Sequence, residues 1–218
     1  MVACGDADGA VTGNTRRFGA SLEKIKQVVD VRKGEIMFGL NMVVNKGKTV
    51  FIADTTVHEY PSSKQLAEIA KSSARVVRLF GFDPKIAFLS HSTFGTPLTS
   101  RTKHIRDAVD ILKEMKVDFK FDGDMQPDVA LDETYKELYP LSEIVGKANV
   151  LIMPGQHSAA ISYKIMKTLG GAKVIGPLLI GLGRAIEIAP LRSSTSDILN
   201  LASVAAYSSG VINYGKIN

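Results

Sequence analysis

One cysteine, Cys4, among 218 residues leaves no intrachain disulfide framework and too few thiolates for most zinc sites. Its place near the terminus gives no reason to read it as a nucleophile. No apolar stretch runs for about 18 residues, the length of a membrane-spanning helix, so no membrane partner is expected. The opening Met-Val-Ala-Cys-Gly-Asp-Ala-Asp is no signal peptide, and a cytoplasmic protein is expected. Nor is there a dense basic run: the 27 Lys and Arg behind the net charge of +5 are dispersed, as in KQLAEIAKSSARVVRLF. With no RNP-like or zinc-finger pattern, nucleic acid is not an expected partner. The positive balance reads as solvated helix faces, with room for attraction to a polyanionic small molecule such as a nucleotide-bearing cofactor. Internal repeats and low-complexity segments are also lacking. So are GxxxxGK[ST], GxSxG, HExxH and a strand-linked GxGxxG, which argues against P-loop nucleotide hydrolysis and zinc proteolysis.

What is present is enough apolar sequence for a real core: 45% of the residues are hydrophobic and 22% charged, as in globular proteins of one or two domains. Ser62 and Ser63 stand where a helix cap belongs, and Leu66, Ile69, Ala70, Val76, Val77 and Phe80 then recur at helical spacing until Gly81. A helix is expected over 62–80. KIAFLS reads as a buried strand, Thr99 to Met115 as an amphipathic helix and VDFKFDG as another strand. A helix is expected around Asp128 to Leu138, then a strand at NVLIMP and a helix over HSAAISYKIMKTLGG. AKVIGPLLIGL and AIEIAP are strand candidates, and Ser194 to Ser208 reads as a closing helix. Asn45-Lys46-Gly47-Lys48, between IMFGLNMVV and TVFIADTT, has the form of a hairpin turn. Strands alternating with helices define an α/β class with a mostly parallel sheet flanked by helices.

In such sheets ligands gather beyond the carboxyl ends of strands, which selects the loops Ser90 to Gly95, Asp122 to Asp128, Pro154 to His157 and Leu191 to Asp197. In KIAFLSHSTFG the buried run stops at hydroxyls and a glycine, which fits either an ordinary strand-to-helix turn or an anion site of backbone amides. His91 sits within it, donating to a ligand or holding the turn. His58, His104 and His157 have no spaced partner, and read as surface or hydrogen-bonded residues rather than metal ligands. The run Asp122-Gly123-Asp124-Met125-Gln126-Pro127-Asp128 offers carboxylates for a metal or a general base, or caps for the helix that follows. Arg192 and Asp197 have a different character. A cation and a carboxylate near a helix start can polarise a carbonyl and accept a proton.

These loops, in this order, resemble the phosphate acetyltransferase and butyryltransferase family along essentially the whole chain. The resemblance is carried by GDADGAVTG, FIADTTV, LSHSTFG, FDGDMQPDVAL, GKANVLIMP, IGPLLIGL and SDILNLA. LSHSTFG and DGDMQPDVAL look most like the C-terminal domain of bacterial NADP-dependent malic enzymes. The resemblance implies two α/β domains with a cleft between them, a first domain from residues 1–20 and 181–218 and a second from 21–180. It implies a match that begins partway into the family domain. Elements that normally cover IGPLLIGL and ILNLASVAA would then be missing, leaving them exposed, repacked or covered by another chain. Expected partners are acetyl-CoA or acetyl phosphate, further copies of the chain, or a complementary N-terminal malic-enzyme chain.

The implied chemistry moves acetyl between phosphate and coenzyme A, with no metal. An Asp takes the thiol proton while Arg and Ser stabilise the oxyanion. The matching residues here are Asp197 and Arg192, with Ser90, His91, Ser92, Thr93, Gly95, Asp122, Gln126 and Asp128 implied as ligand-binding. The chain departs from the family pattern at the catalytic loop. Active transferases carry Ser-Arg with the Asp six residues beyond the Arg, whereas here Leu191 precedes Arg192 and Asp197 lies five residues on. A regulatory acetyl-CoA-binding domain with little acyl transfer is therefore expected, with an active phosphate acetyltransferase as the alternative.

Overall fold

The computed structural model describes residues 1–214, the side chains through residue 210. The chain divides into two compact units: unit 1 is Met1–Gly39 with the chain from Ile175 onward, and unit 2 is Leu40–Val174. Unit 1 begins with β1 (Gly9–Gly13) and α1 (Phe18–Lys26). Unit 2 holds β2 (Phe38–Asn45), β3 (Lys48–Ala53), α2 (Ser63–Leu79), β4 (Lys85–Leu89), α3 (Ser100–Glu114), β5 (Lys120–Met125), α4 (Pro127–Leu131), β6 (Val150–Ile152) and α5 (Gln156–Thr168). The chain then runs through β7 (Lys173–Ile180), β8 (Ala185–Ala189) and α6 (Thr195–Tyr214). The class is α/β, and the parallel pairs are flanked by helices.

The divisions expected after residues 20 and 180 fall instead after Gly39 and Val174. Residues 21–39 go with unit 1 because α1 buries Leu22 and Ile25 there, and the segment after it is tied to the chain before β8. Arg32 N donates to the Gly181 carbonyl at 2.8 Å, and Gly183 N donates to the Asp30 carbonyl at 2.9 Å.

In unit 2 the strand order is β5-β4-β6-β3-β2, with β3, β4, β5 and β6 mutually parallel and β2 antiparallel to β3. The hairpin forms where the sequence predicts it: Asn45 pairs with Lys48, and Lys46 (φ 48°) and Gly47 (φ 77°) take the positive φ values of a type I′ turn. Phe51, Ile52, Ile86, Phe88 and Ile152 are fully buried in the sheet, and Leu66, Ile69 and Leu112 close it from α2 and α3. The strand ends that carry the loops of interest thus share one edge, fixed by a packed core.

α2 shows why the local reading works. The Ser62 hydroxyl accepts from Gln65 N at 3.2 Å, and Ser62 N donates to Gln65 Oε1 at 2.8 Å, a reciprocal capping box. Gly81, at φ 83°, ends the run. Ser62→Ala is expected to lower the unfolding free energy by about 1 kcal/mol, measured by urea denaturation; no change would mean that packing alone holds this helix end.

One expectation fails locally. The helix expected over Asp128 to Leu138 is broken: α4 stops at Leu131, and a separate 3-10 turn covers Glu133–Glu137. The cause is Asp132, extended at φ −112°, whose carboxylate accepts from Thr134 N at 2.9 Å and restarts the chain. In the other direction, α1 has no predicted counterpart.

Candidate functional site

In unit 2 the Ser90–Gly95 loop is joined to the end of β5 by a buried carboxylate. Asp124 is fully buried; it accepts a hydrogen bond from the Ser92 hydroxyl, itself fully buried, and one from Gly95 N at 3.0 Å. Phe94 N donates to the Asp124 carbonyl at 2.7 Å, Ser90 N to the Met125 carbonyl at 2.9 Å and Thr93 N to the Thr96 carbonyl at 3.3 Å. Gln126 N closes the arrangement on the Thr93 hydroxyl at 3.2 Å. The loop gathers donors around the Asp124 carboxylate, and the amides of Ser90, Thr93, Phe94 and Gly95 donate within the fold. α3 follows only at Ser100, behind its own Thr99–Thr102 capping box.

The other unit 2 candidates are placed as follows. His91 is exposed and Ser90 half-buried. Asp122 is half-buried, and its carboxylate accepts from Gly123 N at 2.9 Å. Asp128 is exposed and receives the Tyr135 hydroxyl at 2.8 Å, which raises the pKa of that phenol. The structure therefore brings Ser90, Ser92, Thr93, Gly95 and Gln126 together, and gives Asp122 and Asp128 local partners of their own.

A pairing unforeseen from the sequence lies beyond β3. Asp54, 1% exposed, accepts the backbone N–H groups of Thr56, Val57 and His58 at 2.9–3.1 Å. His58 Nδ1 donates to the same carboxylate at 2.7 Å. The imidazole is fixed in orientation, with Nε2 left as its second nitrogen. His104 Nε2 donates to the Pro61 carbonyl at 2.8 Å, and His157 Nε2 stands 3.6 Å from Glu59 in an exposed pair. Both were read from the sequence as surface or hydrogen-bonded histidines. Among the described residues no cluster of His, Cys, Asp and Glu has the arrangement of a metal site.

Arg192 and Asp197 belong to unit 1. There β1 and β8 run parallel, Gly13 opposite Ala189, so the loops leaving both strands emerge at one edge. Gly13 is at φ 108°, and a Cβ on it would strike the Ala189 carbonyl oxygen, so the close approach of the strands requires glycine. Asn14 N donates to that same oxygen at 2.8 Å. Between β1 and α1 a cleft of about 470 Å³ opens, lined by Thr12, Thr15, Arg16, Ser21 and Lys24. Two cations and three hydroxyls suit an anionic ligand. The chain after β8 turns on Ser193, whose N–H and hydroxyl both meet the Pro190 carbonyl, at 3.2 and 2.8 Å. Arg192 is exposed and takes a left-handed conformation (φ 63°), and Leu191 is half exposed. Asp197 accepts from Ser194 N and from the Ser194 hydroxyl at 2.9 Å each, while Asp197 N donates back to that hydroxyl at 3.1 Å, a capping box at the start of α6. Of the apolar C-terminal segments, IGPLLIGL is buried at Leu178, Leu179 and Leu182, whereas in ILNLASVAA only Leu201 and Ala205 are buried and Leu199 is 65% exposed.

Two α/β units, with a cationic cleft and an arginine loop in the first of them, make up the described chain. The family model described as phosphate acetyl/butaryl transferase matches residues 1–206, and the chain belongs to that family. Within it, the chain matches the C-terminal domain of NADP-dependent malic enzymes. It is 46% identical over 210 residues to the NADP-dependent malic enzyme of Rhizobium meliloti, covering 96% of this chain and 28% of that protein. It is 32% identical to the phosphate acetyltransferase of Bacillus subtilis, over 94% of this chain and 64% of that protein. A phosphotransacetylase structure from Streptococcus pyogenes superposes with a TM-score of 0.89 at 32% identity, over 95% of this chain and 64% of that one. The chain thus spans well under a third of its malic-enzyme relative. Among the described residues no helix is long and apolar enough to cross a membrane.

Proposed function

We propose that this chain is the regulatory domain of a cytoplasmic NADP-dependent malic enzyme, one that binds acetyl-CoA or acetyl phosphate and transfers little acyl group itself. Leu191 carries the reading. At the place where a transferase presents a hydroxyl beside its arginine, this chain presents an apolar, half-exposed side chain that donates nothing to an oxyanion. Binding needs less. The anionic end of the ligand has Arg16, Lys24 and the hydroxyls of Thr12 and Thr15 in the unit 1 cleft. Asp197, the residue a transferase would use to take the thiol proton, already accepts two hydrogen bonds from Ser194 through one carboxylate oxygen. Those bonds tie the carboxylate to the start of α6, in a structural capping role.

Conversion of acetyl phosphate and coenzyme A to acetyl-CoA is expected to run about a hundred- to a thousand-fold below that of an active family member assayed alongside, the usual cost of one missing oxyanion donor. Calorimetric titration with acetyl-CoA is expected to show binding that Arg16→Ala weakens. Sedimentation shows whether the chain assembles with itself or needs a malic-enzyme partner chain. Turnover equal to the relative's, abolished by Arg192→Ala, replaces this reading with an active phosphate acetyltransferase. Absence of both turnover and binding rejects both.

A further inference from the structure

The cleft in unit 2 has no part in the reading above, and it differs in kind from the one in unit 1. Its volume is about 470 Å³, within the range of small-molecule sites. One wall is the start of α3, with Arg101 and Ile105; the other is the loop after β6 and the start of α5, with Pro154 and His157; Tyr60 and Pro61 close it from the loop after β3.

Its position follows from the topology. The chain runs from β3 through β4 to β5 toward one edge of the sheet, then doubles back to insert β6 between β4 and β3. The strand order therefore reverses between β4 and β6. A crevice opens at the carboxyl ends of strands where such a reversal occurs, and it is where α/β sheets hold ligands. The walls of this cleft are the segments that follow β4 and β6.

The lining sets the chemistry. Pro61, Pro154 and Ile105 present apolar faces, and Tyr60, 78% exposed, supplies an aromatic ring at the mouth. That combination accepts a flat ring. Arg101 is exposed and gives the cleft a guanidinium, the group best suited to a phosphate. Glu59 also lines the cleft, its carboxylate 3.6 Å from His157 Nε2. α5 begins at the rim with Gly155 as its N-cap, which has no side chain to occupy the first-turn amides.

We infer that this cleft is a purine nucleotide site, with the ring between Tyr60 and the prolines and the phosphate on Arg101. The inference concerns unit 2 alone and holds whether or not an acyl ligand occupies unit 1. Adenosine monophosphate is the probe, titrated calorimetrically into the whole chain. Binding is expected, weakened about 10- to 100-fold by Arg101→Ala, the loss of one charge-assisted contact, and weakened also by Tyr60→Ala. Lys113→Ala, which removes an exposed cation at the far end of α3, serves as the charge control and is expected to bind as the parent does. Circular dichroism confirms that each variant is folded. Displacement of the bound nucleotide by acetyl-CoA, but not by pantetheine, would identify the nucleotide end of a coenzyme as the occupant; no displacement would identify a free nucleotide. No binding of adenosine monophosphate, or equal binding by the parent and by both Arg101→Ala and Tyr60→Ala, overturns the inference.

Discussion

Asp124→Ala is expected to lower the unfolding free energy by about 3–6 kcal/mol. The magnitude comes from two hydrogen bonds to a charged acceptor, each contributing about 1.5–3 kcal/mol when buried. The donors, Ser92 Oγ and Gly95 N, would be left without their acceptor in a site closed to water. Asp124→Asn retains an acceptor and is expected to lose less. Urea unfolding measures the difference, and amide hydrogen exchange at Gly95 locates it. A loss under about 1 kcal/mol would show that water replaces the carboxylate and that the loop does not depend on it.

Glu187→Gln is expected to change how stability depends on pH. Glu187 lies in β8 opposite Val11 and is 2% exposed, and its carboxylate accepts a single backbone N–H, from Leu179 at 2.9 Å. Burial pushes its pKa up to about 8 from an ordinary value near 4.5, and the Leu179 bond offsets this only in part. Between those values the folded protein keeps a proton that the unfolded chain has released, so stability falls as pH rises through the window and levels off above it. The full change is up to about 5 kcal/mol, at 1.36 kcal/mol per unit. Glutamine cannot ionise, so this contribution vanishes in the variant. Its amide NH₂ brings a fixed cost at every pH, and the diagnostic quantity is therefore the slope. Urea denaturation of both proteins from pH 5 to pH 9 is expected to show the parent losing stability steeply and the variant much less. Parallel slopes would mean that Glu187 reaches water.

What could be read from the sequence is what short-range chemistry decides. Ser62 and Thr99 cap their helices through the third residue on, and Lys46-Gly47 turns a hairpin, because each of these contacts closes within a few residues. The strands KIAFL and VLI are continuous apolar runs and are buried as such. The site was less legible. Asp124 looked like one of several acids around a turn, and its partners Ser92 and Gly95 lie about thirty positions earlier. Asp54 is nearer to His58, but no pattern in DTTVH distinguishes a carboxylate that holds a loop from one that faces water. α1 carries no capping signal: Arg17, at its N-cap, makes no side-chain cap, and only Ser21, Leu22 and Ile25 are buried. A signal was available there in the Thr15-Arg16 pair between a glycine-ended strand and Lys24, which becomes meaningful only once β1 is set beside β8.

That strand pairing has a kinetic consequence. β1 and β8 are neighbours in space, yet the whole of unit 2 lies between them along the chain. Closing so long a loop from a disordered chain carries an entropic cost that grows with the logarithm of its length, and contacts of such high separation form slowly. Unit 2 is continuous, with its own core, and faces no such delay. Its folding replaces a long flexible tether by a compact body whose ends have a fixed separation, so the two halves of unit 1 meet late, over a much shorter effective distance. During synthesis the segment bearing β1 and α1 must wait for the whole of unit 2 and then β8 to emerge before its partner strand exists. The arginine loop after β8 is therefore expected to reach its place beside β1 only after unit 2 has formed.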